Sequence, residues 1–202
     1  MKRKKGMILI GLCIVMVFGV RMYEQRKMQE EIAEKILRFH VIANSDSRQD
    51  QELKLKVRDA VGLYMQSELD GVQSKEQAKR IANRDLEQIE NVARQVIEKE
   101  GKSYTVNAWV DEVAFPDKTY GSYTFPKGNY EALEVVIGEG EGKNWWCVMY
   151  PNMCFQGSMY EVIDEETESS LREVLTEKEY NTIIEKNDYQ IRFKYLTFLN
   201  GV

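Results

Sequence analysis

The sequence predicts an α+β fold: a single two-layer domain, with a mixed or antiparallel sheet packed against helices, behind an N-terminal segment of different character. Three observations predict it. Strand patterns at 37–43 and 104–110 bracket a long stretch of helical periodicity. Further strand patterns at Glu131–Gly138 and Trp145–Tyr150 follow closely enough to be joined as hairpins. The part beyond the N-terminal segment is about 180 residues, enough for one core that buries roughly 70% of its unfolded surface.

The chain opens with Lys2, Arg3, Lys4 and Lys5 and then runs apolar from Gly6 to Val20, stopping at Arg21. A cationic head before a short apolar stretch is the layout of an export signal, and the stretch is short for a membrane span. Residues 1–21 are therefore expected to be an export signal or membrane anchor, with everything after them exported. Residues 22–36 are polar and helix-prone, and are expected to form a stalk before a globular domain at 37–202. Residues 1–21 hold five of the 28 basic groups and none of the 33 acids, so the rest of the chain carries a net charge of −10. That balance excludes a nucleic-acid footprint and offers no polybasic patch for anionic lipid beyond the anchor.

Within the domain, Leu37 to Ala43 reads as a largely buried strand closed by Asn44-Ser45-Asp46-Ser47, whose side chains suit a helix start. Leu53, Val57, Ala60, Val61 and Tyr64 make the stripe of the helix that follows. Ser74-Lys-Glu-Gln77 is a capping-box pattern for a second helix running to Gly101, with Ala78, Ile81, Ala82, Leu86, Ile89, Val92, Val96 and Ile97 on one face. Tyr104, Val106, Ala108 and Val110 alternate in a half-buried strand. A sixteen-residue connection, 115–130, carries Phe115, Tyr120, Tyr123, Phe125 and Tyr130. Helical patterning returns over 168–186, and Tyr189, Ile191, Phe193 and Tyr195 alternate in a last strand.

Chemistry is sparse. Gly138 to Lys143 lacks the first glycine and the Ser/Thr of a phosphate loop, and its two carboxylates would repel phosphate, so it reads as a hairpin turn. One histidine and two exported cysteines are too few for a zinc site, and no loop resembles a Ca²⁺ site; no metal or cofactor is expected. His40, the single histidine, sits in a strand pattern. It is read as a hydrogen-bonded structural residue, with a relay to Ser45 or Ser47, or to the carboxylates Asp46 and Asp50, as the alternative. Six residues separate Cys147 from Cys154 in a segment expected to be exported. A disulfide is expected there, with buried free thiols the alternative. Trp145 and Trp146 should face opposite sides of a strand. The aromatic connection reads either as an interface or as a loop packing its own rings. Tyr120, Tyr123, Phe125 and the outward-facing member of Trp145 and Trp146 are its candidate contacts.

Two long stretches, "LRFHVIANSDSRQDQELKLKVRDAV" (37–61) and "FPDKTYGSYTFPKGNYEALEVVIGEGEGKNWWCVMYPNMCF" (115–155), resemble the stage II sporulation protein R family. Pro151-Asn152 departs from the two prolines expected there. The resemblance implies a ligand rather than a catalyst. It would be made in the forespore, exported into the space between the septal membranes, and would activate a membrane-embedded aspartic protease that matures the sporulation sigma factor E. The competing reading is a cell-envelope hydrolase built on His40.

Overall fold

The computed structural model describes residues 2–153 and 165–185. Its elements are α1 (Lys2–Ala33), β1 (Leu37–Ile42), α2 (Arg48–Glu68), α3 (Lys75–Arg84), α4 (Leu86–Lys99), β2 (Val106–Phe115), β3 (Lys118–Tyr120), β4 (Tyr123–Phe125), β5 (Gly128–Ile137), β6 (Asn144–Tyr150), α5 (Glu165–Val174) and α6 (Glu177–Glu185). The expected α+β class and mixed sheet are what the chain forms. The four-stranded sheet has the order β2-β5-β1-β6. Its one parallel pair, β1 with β5, sits between antiparallel pairs at each side.

Because side chains alternate along a strand, β1 divides itself between two faces. Leu37, Phe39 and Val41 face α2, α3 and α4, whose stripes supply Leu53, Val57, Val61, Met65, Ala78, Ala82, Ile89, Ala93 and Ile97 to the main core. Arg38 and His40 face the other way. Over part of that second face a smaller core gathers Ile32 and Ile36, Phe115, Phe125, Tyr130, Val148, Leu171 and Ile183. The sheet is thus covered on both sides over part of its extent. The 22–36 segment, read as a stalk, contributes to this: α1 is continuous to Ala33, and Met28, Ile32 and Ile36 are buried. Gln29 also donates to the Asn129 carbonyl at 3.0 Å, across Gly128, where any side chain would overlap the Gln29 amide.

Helix starts follow the local chemistry. Ser47 accepts from Asp50 N at 3.2 Å and Ser74 from Gln77 N at 3.3 Å, each satisfying a first-turn donor. Gly101 takes the left-handed conformation, φ 71°, just past α4. The expected second helix is divided at Asp85, whose carboxylate is gripped by Arg84 at 2.6 and 2.7 Å while Arg84 also reaches Glu68. Asp competes with helical backbone hydrogen bonding, and the break makes α3 and α4 separate helices. The expected 168–186 helix is divided too. Thr176 N donates to Glu179 Oε2 at 2.7 Å and Glu179 N to Thr176 Oγ1 at 3.4 Å, a reciprocal capping box legible as Thr-x-x-Glu. The last strand expected at 189–195 lies outside the described residues. No helix among the described residues is long and apolar enough to cross a membrane.

The largest difference concerns 115–130. Instead of a loop, β2 runs on to Phe115, β3 and β4 pair as a small hairpin, and β5 begins at Gly128. Beyond Val110 the apolar alternation moves to the other face of the strand, at Val113 and Phe115, and Gly121, at φ 55°, makes the turn.

Candidate functional site

The two motif-bearing stretches converge at two places. The first is a polar knot at the C-terminal end of β1. Asn44 and Ser45 donate to Asp50 Oδ2 at 2.9 and 2.5 Å, and Gln51 donates to the Ser45 carbonyl. The 138–142 turn lies against this loop. Glu139 N donates to Asn44 Oδ1, Gly142 N to the Ala43 carbonyl and Lys143 N to Asp46 Oδ1. Lys54 closes the ring on the Lys143 carbonyl at 2.9 Å. Hydrogen bonds from Asn44 and then Ser45 hold Asp50 below its usual pKa, while burial pushes the Lys54 ammonium down. Gly142 packs so closely on Ser45 and Ala43 that no side chain fits. The turn is a structural clasp.

The second convergence is on the second face of the sheet. One transverse row carries Trp109, Glu134, His40 and Trp146 on β2, β5, β1 and β6 in turn. Trp109 Nε1 donates to Glu134 Oε1 at 2.9 Å, and Glu134 Oε2 meets His40 Nδ1 at 2.9 Å. The imidazole lies flat on Trp146, with centroids 3.7 Å apart and planes within 9°. His40 Nε2 has no hydrogen-bond partner among the described residues. In the next row Arg38 is fully buried in an aromatic box, 4.4 Å from the Phe115 centroid, 5.1 Å from Tyr130 and 5.4 Å from Phe125. It donates to the Tyr120 hydroxyl at 3.1 Å, which in turn donates to the Trp146 carbonyl at 2.9 Å. Burial pushes Arg38 below its usual pKa and Tyr130 up to about 12. Cation–π attraction strengthens when the cation is desolvated, which is how this box keeps a guanidinium out of water.

The candidate contact residues are placed as follows. Tyr123, Phe125 and Trp145 are buried, at 5%, 0% and 7% exposure, and Tyr120 and Trp146 are half-buried. Of the two readings of the connection, the one with packed rings describes Tyr123 and Phe125: the connection is a hairpin whose rings close the second core around Arg38. Tyr123 shares a 2.8 Å hydroxyl contact with Tyr180. Trp145 and Trp146 do face opposite sides, Trp145 meeting Phe39 edge-on at 5.5 Å and lying under Arg58 at 5.0 Å. Cys147 is buried and Cys154 lies outside the described residues. His40 is packed and bonded to Glu134, while Ser45 is turned to Asp50 and Ser47 caps α2. The relay with Ser45, Ser47, Asp46 or Asp50 is therefore not assembled. No metal-ligating cluster occurs among the described residues. Sequence reasoning missed Trp109, Arg38 and Glu134. The available signal was their place at "polar" positions of otherwise apolar strands.

Stage II sporulation protein R of Bacillus subtilis (strain 168) is 37% identical to the chain over 148 residues, 73% of this chain and 66% of that protein. The chain thus matches just under two thirds of that relative's length. No solved structure matches. The family model described as stage II sporulation protein R matches residues 33–160, which contain the knot, the Trp–Glu–His–Trp row and the Arg38 box, and the chain belongs to that family.

Proposed function

We infer that the protein is an exported signal of sporulation that activates a membrane-embedded aspartic protease and so triggers processing of pro-sigma factor E in the mother cell. Family membership carries this reading. The family-like stretches support it by their position: they form the clasp and the second face of one continuous domain, as expected of a ligand that must persist folded outside the cell. Export rests on the basic head and apolar stretch of residues 2–20, acting as signal or anchor into the septal intermembrane space. Cys147 and Cys154 are proposed to be bridged there, which mass analysis without reductant would read as two hydrogens fewer than the dithiol. Contact with the protease does not run through Tyr123, Phe125 or Trp145 in this reading, because the fold encloses them.

The test is co-expression of the exported domain with the protease and its pro-sigma substrate. Processing that depends on the domain supports the reading. A folded, exported domain that leaves the substrate uncut would overturn it.

A further inference from the structure

Among the described residues, β2 is bonded to β5 and to no other strand. The register fixes which of its backbone groups are spare. Gly138 N donates to the Thr105 carbonyl, so Thr105 and Gly138 form a bonded pair. Bonded pairs recur every second residue, so Asn107, Trp109, Asp111 and Val113 use their N–H and C=O groups on β5. Those of Ala108, Val110, Glu112 and Ala114 turn away from β5, to an edge that no other strand among the described residues covers. Independent evidence agrees: Ala108 N reaches sideways to Glu90 Oε1 at 2.9 Å, and Glu112 N is held by Asp111 Oδ1 at 2.7 Å.

Beside this edge stands Trp109, 38% exposed, the one exposed large aromatic among the described residues beyond α1. Its ring is not free to wander, because Glu134 holds the indole N–H. A large ring fixed in place before binding loses little entropy on contact. The edge is also acidic. Asp111 and Glu112 are exposed, Glu90 hangs over the upper end, and neither Asp111 nor Glu112 has an ion-pair partner among the described residues. Two copies pairing edge to edge would set acid against acid, which natural edges use to prevent self-association. An extended segment carrying Lys or Arg would meet complementary charge.

We propose that the β2 edge, with Trp109 as its anchor, is a docking strip that takes an extended basic segment of the partner protein as an added strand. Main-chain hydrogen bonds to Val110 and Ala114 supply affinity in this mode, and side chains on alternate residues supply specificity. That the partner is the protease rests on the reading above; the strip's chemistry does not.

The experiment uses the intact exported domain and two synthetic probes, an alternating Lys–Val peptide and an alternating Glu–Val peptide. The Lys–Val probe should slow amide exchange at Val110 and Ala114 about ten-fold or more, and the Glu–Val probe should leave both unchanged. No protection, equal protection by both, or protection already present from a β2-paired dimer of this chain would each overturn the proposal. Ala114→Pro removes an N–H that faces away from β5, so the sheet should survive while the probe's effect is lost. Asp111→Lys with Glu112→Lys should reverse the preference of the strip toward the Glu–Val probe, and retention of the original preference counts against it. In co-expression, Ala114→Pro should lower processing about ten-fold at limiting dose. If wild type triggers processing and this variant does so equally well, the strip is wrong and the signalling reading stands. If wild type is silent the signalling reading fails, and the peptide measurements still decide the strip.

Discussion

On the helical face of the sheet β1 contributes Leu37, Phe39 and Val41; on the other face the same strand contributes Arg38 and His40. The first set packs on three amphipathic helices and is stabilised by area removed from water, a non-directional effect that tolerates many sequences. The second set is equally buried yet polar, and each member is held by particular partners at particular angles. Arg38 needs the Phe115, Phe125 and Tyr130 rings; His40 needs Glu134 and Trp146. One face is held by area, the other by the geometry of particular pairs.

The comparison is broken most directly on the helical face. Phe39→Ala should cost about 3–5 kcal/mol, the usual range for deleting a buried ring, read as a lower denaturant midpoint with an unchanged slope. Asp50→Ala should come next. It leaves the Asn44 and Ser45 donors without their shared acceptor, at about 1–3 kcal/mol. It also carries a pH signature. The folded carboxyl is held below its ordinary value, so its contribution is present above the unfolded pKa of about 4 and fades as pH falls through the lower folded value. Stability of Asp50→Ala should therefore depend less on pH below about 4 than wild type, as acid titration of the melting temperature would show.

On the second face the expected effects are smaller. Arg38→Met keeps the packing volume and removes a buried charge, an exchange that is often neutral or stabilising, so the change should stay within about 1.5 kcal/mol of wild type. A loss as large as that of Phe39→Ala would mean the box requires a cation. His40→Gln should cost about 1 kcal/mol, the net worth of one hydrogen bond, and should brighten or shift the fluorescence of Trp146 without abolishing the proposed signalling. Loss of signalling in a variant of unchanged stability would revive a chemical role for the imidazole.

The same contrast explains what could be read from the chain. The helical face was legible because its residues recur with helix and strand periods: the α2 stripe, the Ser74 cap and the Gly101 stop all fall where those rules put them. Trp145 and Trp146 were legible as opposed by alternation alone. The second face was not legible. Arg38 and Glu134 are polar residues within otherwise apolar strands, and only the partners brought in by the other strands, more than eighty residues away for the Arg38–Tyr120 contact, make them interior. The aromatic connection misled for the same reason: ring-rich loops and ring-rich hairpins have the same composition, and the distinction lies in what they close over. The break at Asp85 was missed because a continuous apolar stripe does not report a bend, whereas the second break carries its own signal in Thr176-x-x-Glu179.

The continuity of α1 changes what the N-terminal segment can be mechanically. Met28 and Ile32 seat the end of this helix in the domain, while Leu12 through Tyr23 stand out from it. At about 1.5 Å per residue, Val20 is held roughly 12 Å from Met28 along a single axis. A flexible tether of that length would let the domain tumble and present any side to its surroundings. A helical strut sets both standoff and heading, so whatever the apolar end rests on sees the domain in one pose. Inserting a single alanine between Val20 and Met28 would turn that pose by about 100°, and deleting a whole turn would shorten the standoff while restoring the heading.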